Sequence, residues 1–305
     1  MLHVLGAGSL GLLWAARLAV AGVDVRVILR DAQALQHWQA AGSSVLFEHS
    51  GRRCRVPLPA QLPDSQEQPI RALILATKAY SAESALHSVA KRLMPGASVL
   101  MLQNGMGSQQ AASLAYPHQQ VLYASVTDGV WMPAPRHIVW AGQGTTQVGD
   151  PDANPCPQWL EQLDREVIDW HWHPQILNTL WQKLAINCAI NPYTALHDCC
   201  NGEVLERAGK QMAPLIHELH SLLALHIPGY RLTELSERIH QVIEHTANNS
   251  SSMRQDVHAR RRTEISYITG FTCQAARQSG LETPVLDRLH EALKTHLATL
   301  GLPTD

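Results

Sequence analysis

The residues best suited to chemistry in this 305-residue chain lie in one short run, Leu180-Trp181-Gln182-Lys183-Leu184-Ala185-Ile186-Asn187-Cys188-Ala189-Ile190-Asn191-Pro192. Lys183, Asn187 and Asn191 recur at every fourth position. On a helix of 3.6 residues per turn they line one face, drifting by about 40° per step. Apart from the two asparagines, the run after Lys183 is apolar. Asparagine is a poor helix former, and an unsatisfied buried amide costs roughly 1–3 kcal/mol. Two of them beside an ammonium make sense where they meet a polar ligand. A solvent-facing stripe on an amphipathic helix would give the same spacing, and the segment alone leaves the two readings equal. Hydride addition to a ketone creates an alkoxide, which needs a proton and a positive charge as it forms. A lysine ammonium supplies both, and a cleft lowers its pKa towards the working range. Lys183 is therefore the candidate general acid.

A second constellation is Asn248-Asn249-Ser250-Ser251-Ser252-Met253-Arg254-Gln255-Asp256. Ser252 with Gln255 three residues on is a capping-box pattern that would open a long helix. A helix N-terminus with serine hydroxyls also suits a substrate carboxylate. Thr263-Glu264-Ile265 then places a carboxylate on that helix. Glu264 is either a surface residue or an acceptor that anchors a substrate hydroxyl and orients Lys183.

A hydride donor has its own signature. Leu2–Leu5 reads as a short strand running into Gly6-Ala7-Gly8-Ser9-Leu10-Gly11, followed by a Leu/Ala-rich helix to Ala21 and a second strand over Val23–Leu29. In this strand–helix–strand setting Gly6 permits the tight turn, Gly8 lets a pyrophosphate approach, and Gly11 lets helix pack on strand. The second strand ends at Arg30-Asp31. An arginine there suits the 2′-phosphate of NADP, an acid the 2′-hydroxyl of NAD; Asp31 could instead cap the next helix. NADP is favoured. Two further strands deliver Lys78 and Asn104-Gly105-Met106-Gly107 to the same carboxyl edge, where each could also be an ordinary surface lysine or turn.

These residues need a frame. Strands are expected at 44–47, 54–57, 72–77, 98–103 and 121–125, with helices at 31–41, 81–93 and 107–114. Gln66–Gln68 and Pro133–Arg136 read as loops. Alternating strands and helices imply a mostly parallel sheet covered on both faces. After Trp170–Pro174 helical periodicity takes over, with helices expected at 175–190, 203–225, 231–246, 253–279 and 285–297. The fold class is α/β: a Rossmann-type NADP-binding domain over 1–172, then an all-α substrate and catalytic domain over 173–305.

Composition excludes other classes. Hydrophobic residues make up 45% and charged residues 16%, with a net charge of −2, so no global field draws the chain to nucleic acid or anionic lipid. Arg260-Arg261-Arg262 reads as the only basic cluster, adequately explained by a solvated helix face. No run of about 18 apolar residues offers a membrane span, and the N-terminus lacks a basic lead-in for a secretory signal. Six cysteines without a C-x-x-C pair fit reduced thiols in the cytoplasm. His217-Glu218-Leu219-His220 is H-E-x-H rather than H-E-x-x-H, and no metal site is expected.

Several of these segments together resemble the ketopantoate reductase (2-dehydropantoate 2-reductase) family. The likeness covers Gly6–Gly11, Thr77-Lys78-Ala79, Gln103–Gly107, Trp181–Pro192, Asn201-Gly202-Glu203, Ser251-Ser252-Met253 with Gln255-Asp256, and Thr263-Glu264-Ile265. It implies NADPH-dependent reduction of 2-dehydropantoate to (R)-pantoate in pantothenate and coenzyme A biosynthesis, with Lys183 as proton donor. It further implies that Asn104, Asn187, Asn191, Asn201, Asn249 and Ser252 contact or frame the substrate, Ser252 taking its carboxylate. Gly6, Ala7, Gly8, Ser9, Leu10, Gly11, Arg30, Lys78 and Asn104 would hold NADPH, with Val130 near the nicotinamide and Glu264 beside both ligands. The partner is then a small 2-oxo acid, and the protein a monomer or homodimer. Ser266 and Thr269 stand where the family often has Asp and Asn, and Asp128-Gly129-Val130 replaces a commoner small, polar run. A reductase of another 2-oxo or β-hydroxy acid remains a rival, although the glycine-rich substrate loop usual in β-hydroxyacid dehydrogenases is missing. A non-catalytic NADPH sensor would carry a broken Lys183/Glu264 pair, and both residues are present.

Overall fold

The computed structural model describes residues 1–65 and 69–305; Gln66–Gln68, expected as a loop, lie outside the described residues. Two compact units emerge, one of residues 1–103 and 108–176, the other of 104–107 and 177–305.

In the first unit the elements run β1 (Leu2–Leu5), α1 (Ser9–Val20), β2 (Val25–Ile28), α2 (Ala32–Ala40), β3 (Ser44–His49), β4 (Arg52–Pro57), β5 (Ala60–Gln61) and β6 (Ile70–Leu75). They continue with α3 (Ala82–Val89), β7 (Leu93–Met101), α4 (Ser108–Ala115), β8 (Gln120–Val126), β9 (Gly129–Ala134), β10 (His137–Gly142), β11 (Thr146–Gly149), α5 (Gln158–Glu161) and β12 (Trp170–Trp172). Among the described residues β12-β11-β8-β7-β6-β1-β2-β5 form one sheet, parallel except where β11 runs against β8. Its register aligns Leu5 with Ile28 and Leu75, and Leu75 with Met101. The segments just beyond that row include Gly6, Arg30 and Lys78.

A separate sheet, β4-β3-β10-β9, corrects the expectation that 44–57 belongs to the parallel sheet. The reason lies in α1, which is buried from Gly11 through Leu18. A helix apolar all round must be covered all round. The large sheet covers one side, and Val45, Val56 and Ile138 of the small sheet join the same core from the other. A buried ion pair lies in that layer: Arg17 pairs with Asp128 at 3.3 Å and lies 4.0 Å over the Trp140 ring. Trp140 and the Gly144 amide donate to the same carboxylate at 2.9 and 3.1 Å. The departure at Asp128 thus has a structural role.

Two smaller expectations are also corrected. Pro133 and Ala134 finish β9 rather than forming a loop, which proline tolerates because β9 is an edge strand. The other edge, β4, exposes Arg52, Arg53 and Arg55, a second basic cluster. Charge on an unpaired edge opposes pairing with another chain.

The second unit consists of α6 (Ile176–His197), α7 (Val204–Ala208), α8 (Met212–His226), α9 (Leu232–His245), α10 (Ser252–His258), α11 (Thr269–Gln278) and α12 (Pro284–Thr299), with Ile176 itself counted in the first unit. Helix α8 packs against α9 and α12, and Leu215, Leu219 and Leu222 of α8, Leu235 and Ile239 of α9 and Leu289 and Leu293 of α12 are all buried. The expected helix over 203–225 is interrupted at Gly209, where φ is +51°. The expected helix over 253–279 is two helices. Arg260 takes φ +54°, its N–H bonds the Val257 carbonyl at 3.0 Å, and the Arg261 N–H bonds the Asp256 carbonyl at 2.8 Å. Those two bonds make the Schellman ending that usually carries glycine.

No helix among the described residues is long and apolar enough to cross a membrane.

Candidate active site

Helix α6 runs for 22 residues, through Pro192, and is longer than its expected end at Ile190. Proline forfeits one internal bond there. Lys183 is half-buried, and its Nζ donates to Asn104 Oδ1 at 3.2 Å. Burial lowers its pKa from 10.5 to about 8, while the charge of Glu264 pulls the other way. Asn187 is half-buried and Asn191 buried. No side-chain hydrogen bond of either asparagine to another described residue is seen. Beyond them Thr194 Oγ1 donates to the Asn191 carbonyl at 2.8 Å and meets Ser251 Oγ at 2.6 Å.

Asn104 reaches the lysine by a short detour of the chain. Gln103, at the end of β7, donates from Nε2 to the carbonyls of Leu75 at 3.0 Å and Thr77 at 3.2 Å. The next four residues, 104–107, belong to the second unit. Gly105 sits at φ +77°, and a methyl there would overlap the Tyr267 carbonyl; Met106 N–H donates to that same carbonyl at 2.9 Å. Only glycine allows so close an approach.

Glu264 is 4% exposed and lies in the break between α10 and α11, not on a continuous helix as expected. Asp256, itself buried, pairs with Arg261 at 3.1 Å and braces the start of this break. Beside Glu264, the Thr263 hydroxyl is buried with no hydrogen-bond partner. The expected capping box is also displaced by one residue. Ser251 caps α10 by accepting the Arg254 N–H at 3.1 Å, Ser252 becomes the first helical residue, and Gln255 Nε2 donates to the Ser250 carbonyl. Asn201 is buried; its Nδ2 donates to Thr246 Oγ1 at 2.8 Å, and its Oδ1 has no partner. Asn249 is exposed, and its backbone carbonyl accepts the Asn201 N–H at 3.0 Å. Sequence reasoning missed Thr194, Ser251, Gln103 and Tyr267 as supports. The repeated hydroxyls in Ser250-Ser251-Ser252 were the available signal for Ser251; Tyr267 acts through its backbone, which leaves no side-chain signature.

In the first unit, Gly6 takes φ +112°, with a Cβ position 2.9 Å from the Thr77 nitrogen, and a methyl on Gly11 would overlap the Gly6 carbonyl. Gly8, the N-cap of α1, meets nothing nearer than 3.9 Å and leaves the helix N-terminus open. Ala7, Ser9 and Leu10 complete the turn. The Thr77 hydroxyl is buried without a partner on the strand end that precedes Lys78. An open helix N-terminus within a cradle of glycines suits a pyrophosphate, so these residues fit a dinucleotide. Arg30 is exposed just beyond β2, and Asp31 caps α2 by accepting the Ala34 N–H at 2.7 Å. Val130 lies on β9, packed against the core beneath α1.

The remaining motifs have structural partners. Glu218 accepts the N–H groups of Val285 and Leu286 at 2.8 Å each, capping α12, and His220 bonds the Tyr230 carbonyl at 2.9 Å. Of the arginine run, Arg261 pairs with Asp256 and Arg262 with Asp305. No cluster of metal-ligating side chains occurs among the described residues.

A glycine turn under a helix N-terminus, on the carboxyl edge of a parallel sheet, is characteristic of nicotinamide-dependent oxidoreductases as a class. Two family models narrow that class: ketopantoate reductase PanE/ApbA matches residues 2–153, and its C-terminal counterpart matches 175–297. The chain belongs to the ketopantoate reductase family. It is 33% identical over 301 residues to the 2-dehydropantoate 2-reductase of Vibrio cholerae, covering 96% of each chain. It is 34% identical over 295 residues to the Salmonella typhimurium 2-dehydropantoate 2-reductase, covering 95% of this chain and 93% of that one. The fold matches a D-mandelate dehydrogenase solved with NADH and anilino(oxo)acetate, with a TM-score of 0.88 at 21% identity, over 99% of this chain and 100% of that one. It also matches a probable 2-dehydropantoate 2-reductase from Bacillus subtilis, with a TM-score of 0.81 at 25% identity, over 96% and 99%.

Proposed function

We propose that this chain catalyses the NADPH-dependent reduction of 2-dehydropantoate to (R)-pantoate, the step that serves pantothenate and coenzyme A biosynthesis. Residues 1–172 form the NADP-binding domain and 173–305 the substrate and catalytic domain in this reading. One observation carries it: a half-buried lysine, with its pKa lowered to about 8, held by Asn104 and biased by a buried Glu264. A lysine so placed is charged at neutral pH yet ready to release its proton.

The turn from Gly6 to Gly11 (Ala7, Gly8, Ser9 and Leu10 included) holds the pyrophosphate, Arg30 and Lys78 the adenosine-side phosphates. Asn104, Val130 and Glu264 would contact the cofactor's nicotinamide end when it is bound. When bound, the cofactor supplies the hydride to the substrate's carbonyl carbon. Lys183 stabilises the alkoxide as it forms and gives it a proton from Nζ. Asn104 aims that amine by accepting one of its hydrogens. Asn187, Asn191, Asn201 and Asn249 frame the hydroxylated tail, with Ser252 at the N-terminus of α10 receiving the carboxylate. Glu264 keeps enough lysine protonated near neutral pH. We place the enzyme in the cytoplasm, as a monomer or homodimer.

The test is to mix purified protein with NADPH and ketopantoate and follow cofactor absorbance, alongside a panel of other 2-oxo and β-hydroxy acids. Substrate-dependent oxidation fastest with ketopantoate is expected. Its absence from well-folded protein would remove the assignment, and a faster panel member would replace the substrate.

A further inference from the structure

The end of β2 holds two groups that ask for different cofactors. Asp31 stands about twenty residues after Gly11, where doubly wound sheets place the adenosine ribose against the carboxyl end of the second strand. An acid there accepts the free 2′-hydroxyl of NADH; an arginine there pairs with the 2′-phosphate of NADPH. This chain has both. Arg30 Nε donates to Asp31 Oδ2 at 2.8 Å, and the other carboxylate oxygen accepts the Ala34 N–H at 2.7 Å.

That geometry sets the carboxylate's state. The Ala34 amide, and after it Arg30, hold Asp31 below the usual carboxylate range, so it is an anion at neutral pH. It cannot drift away from the arginine, because the cap ties it to the start of α2. With Nε taken, Arg30 offers an incoming phosphate only its terminal nitrogens, next to a fixed negative charge. A phosphate of nearly two charges meets repulsion there, whereas a neutral hydroxyl meets an acceptor. Arg30 itself is 87% exposed and reaches into solvent, which lets it serve the phosphate when one arrives.

We propose that Asp31 is a specificity-determining residue that tempers the NADPH preference set by Arg30 and gives the enzyme working use of NADH. The proposal rests on the reading that Arg30 receives the 2′-phosphate. The pair therefore works as a two-cofactor site: Arg30 swings onto the phosphate of one, and Asp31 takes the hydroxyl of the other.

The natural probe is Asp31→Asn. Asparagine caps a helix as well as aspartate does, so α2 keeps its start and only the charge is lost. Dissociation constants for NADPH and NADH would be measured by calorimetry on wild type, Asp31→Asn and Arg30→Ala, with KM for each cofactor taken beside them. Asp31→Asn is expected to tighten NADPH and weaken NADH, moving the ratio of the two constants about two- to fivefold. Arg30→Ala is expected to weaken NADPH and leave NADH nearly unchanged. An unchanged ratio in Asp31→Asn, with NADPH preference lost in Arg30→Ala, would overturn the role of Asp31 while leaving Arg30 in place. A preference that survives Arg30→Ala would overturn the reading beneath both.

Discussion

The opposition between burial and Glu264 at Lys183 makes a prediction about pH. With a pKa of about 8, Lys183 is about 90% protonated at pH 7 and about 10% at pH 9. If its ammonium donates the proton, reduction is level in the acid range and falls about tenfold per unit well above pH 8. Glu264 acts against desolvation, so Glu264→Gln leaves burial unopposed and the lysine pKa drops further. A neighbouring charge of this kind is worth about one to three units. A shift of one to two units lowers the protonated fraction at pH 8 by about 5- to 50-fold. The assay is initial rates of NADPH oxidation at saturating 2-oxo acid from pH 6 to 10 for both proteins. In the proposed reading Glu264 also borders the ligands, so the height of the profile can change for other reasons; the position of the descending limb is what discriminates. A limb at the same pH in both proteins, or a rate that climbs with pH, would refute the reasoning. Stability gives a separate reading. The folded pKa lies below the unfolded one, so between about pH 8 and 10.5 the unfolded chain holds more protons and Lys183 makes stability rise with pH. Lys183→Met should flatten that rise in denaturant titrations.

Other perturbations follow from geometry already described. Lys183→Ala should lose turnover by about 10²- to 10⁴-fold while NADPH binding, followed by cofactor fluorescence, survives; retained turnover would take the lysine out of its role. Gly105→Ala forces a methyl towards the Tyr267 carbonyl and a left-handed alanine, moving Asn104 off Lys183, and should cost about 100-fold in kcat. Glu218→Ala frees two amides at the start of α12 and should destabilise the protein by about 1–2 kcal/mol in urea without changing KM. Asp128→Ala strands Arg17 beneath the small sheet, where both side chains are at most 5% exposed, and should cost about 3–5 kcal/mol.

What the sequence made legible was local. The glycine turn declares itself because three backbone requirements fall within six residues, and the lysine–asparagine stripe because one helix face repeats every fourth position. The break before Glu264 was hidden for an equally local reason: Arg260, not glycine, occupies the left-handed position that ends α10. The small sheet was hidden by distance along the chain, since β10 pairs with β3 across about ninety residues. A clue existed nonetheless in Gly11–Leu18, apolar on every side but for Arg17. Among site residues, Lys183 and Asn104 were each singled out, but nothing in their spacing joined them. Their bond depends on a turn fastened by the backbone of Tyr267.

That fastening limits how the gene can be divided. A fragment beginning at residue 177 would carry the helices of the second unit, short only of Ile176, yet lack the tetrapeptide 104–107, leaving the Tyr267 carbonyl without its amide donor and Lys183 without its Asn104 partner. Split versions, domain grafts and circular permutants of this enzyme should therefore supply that tetrapeptide to the helical part, or expect a folded but misdirected amine.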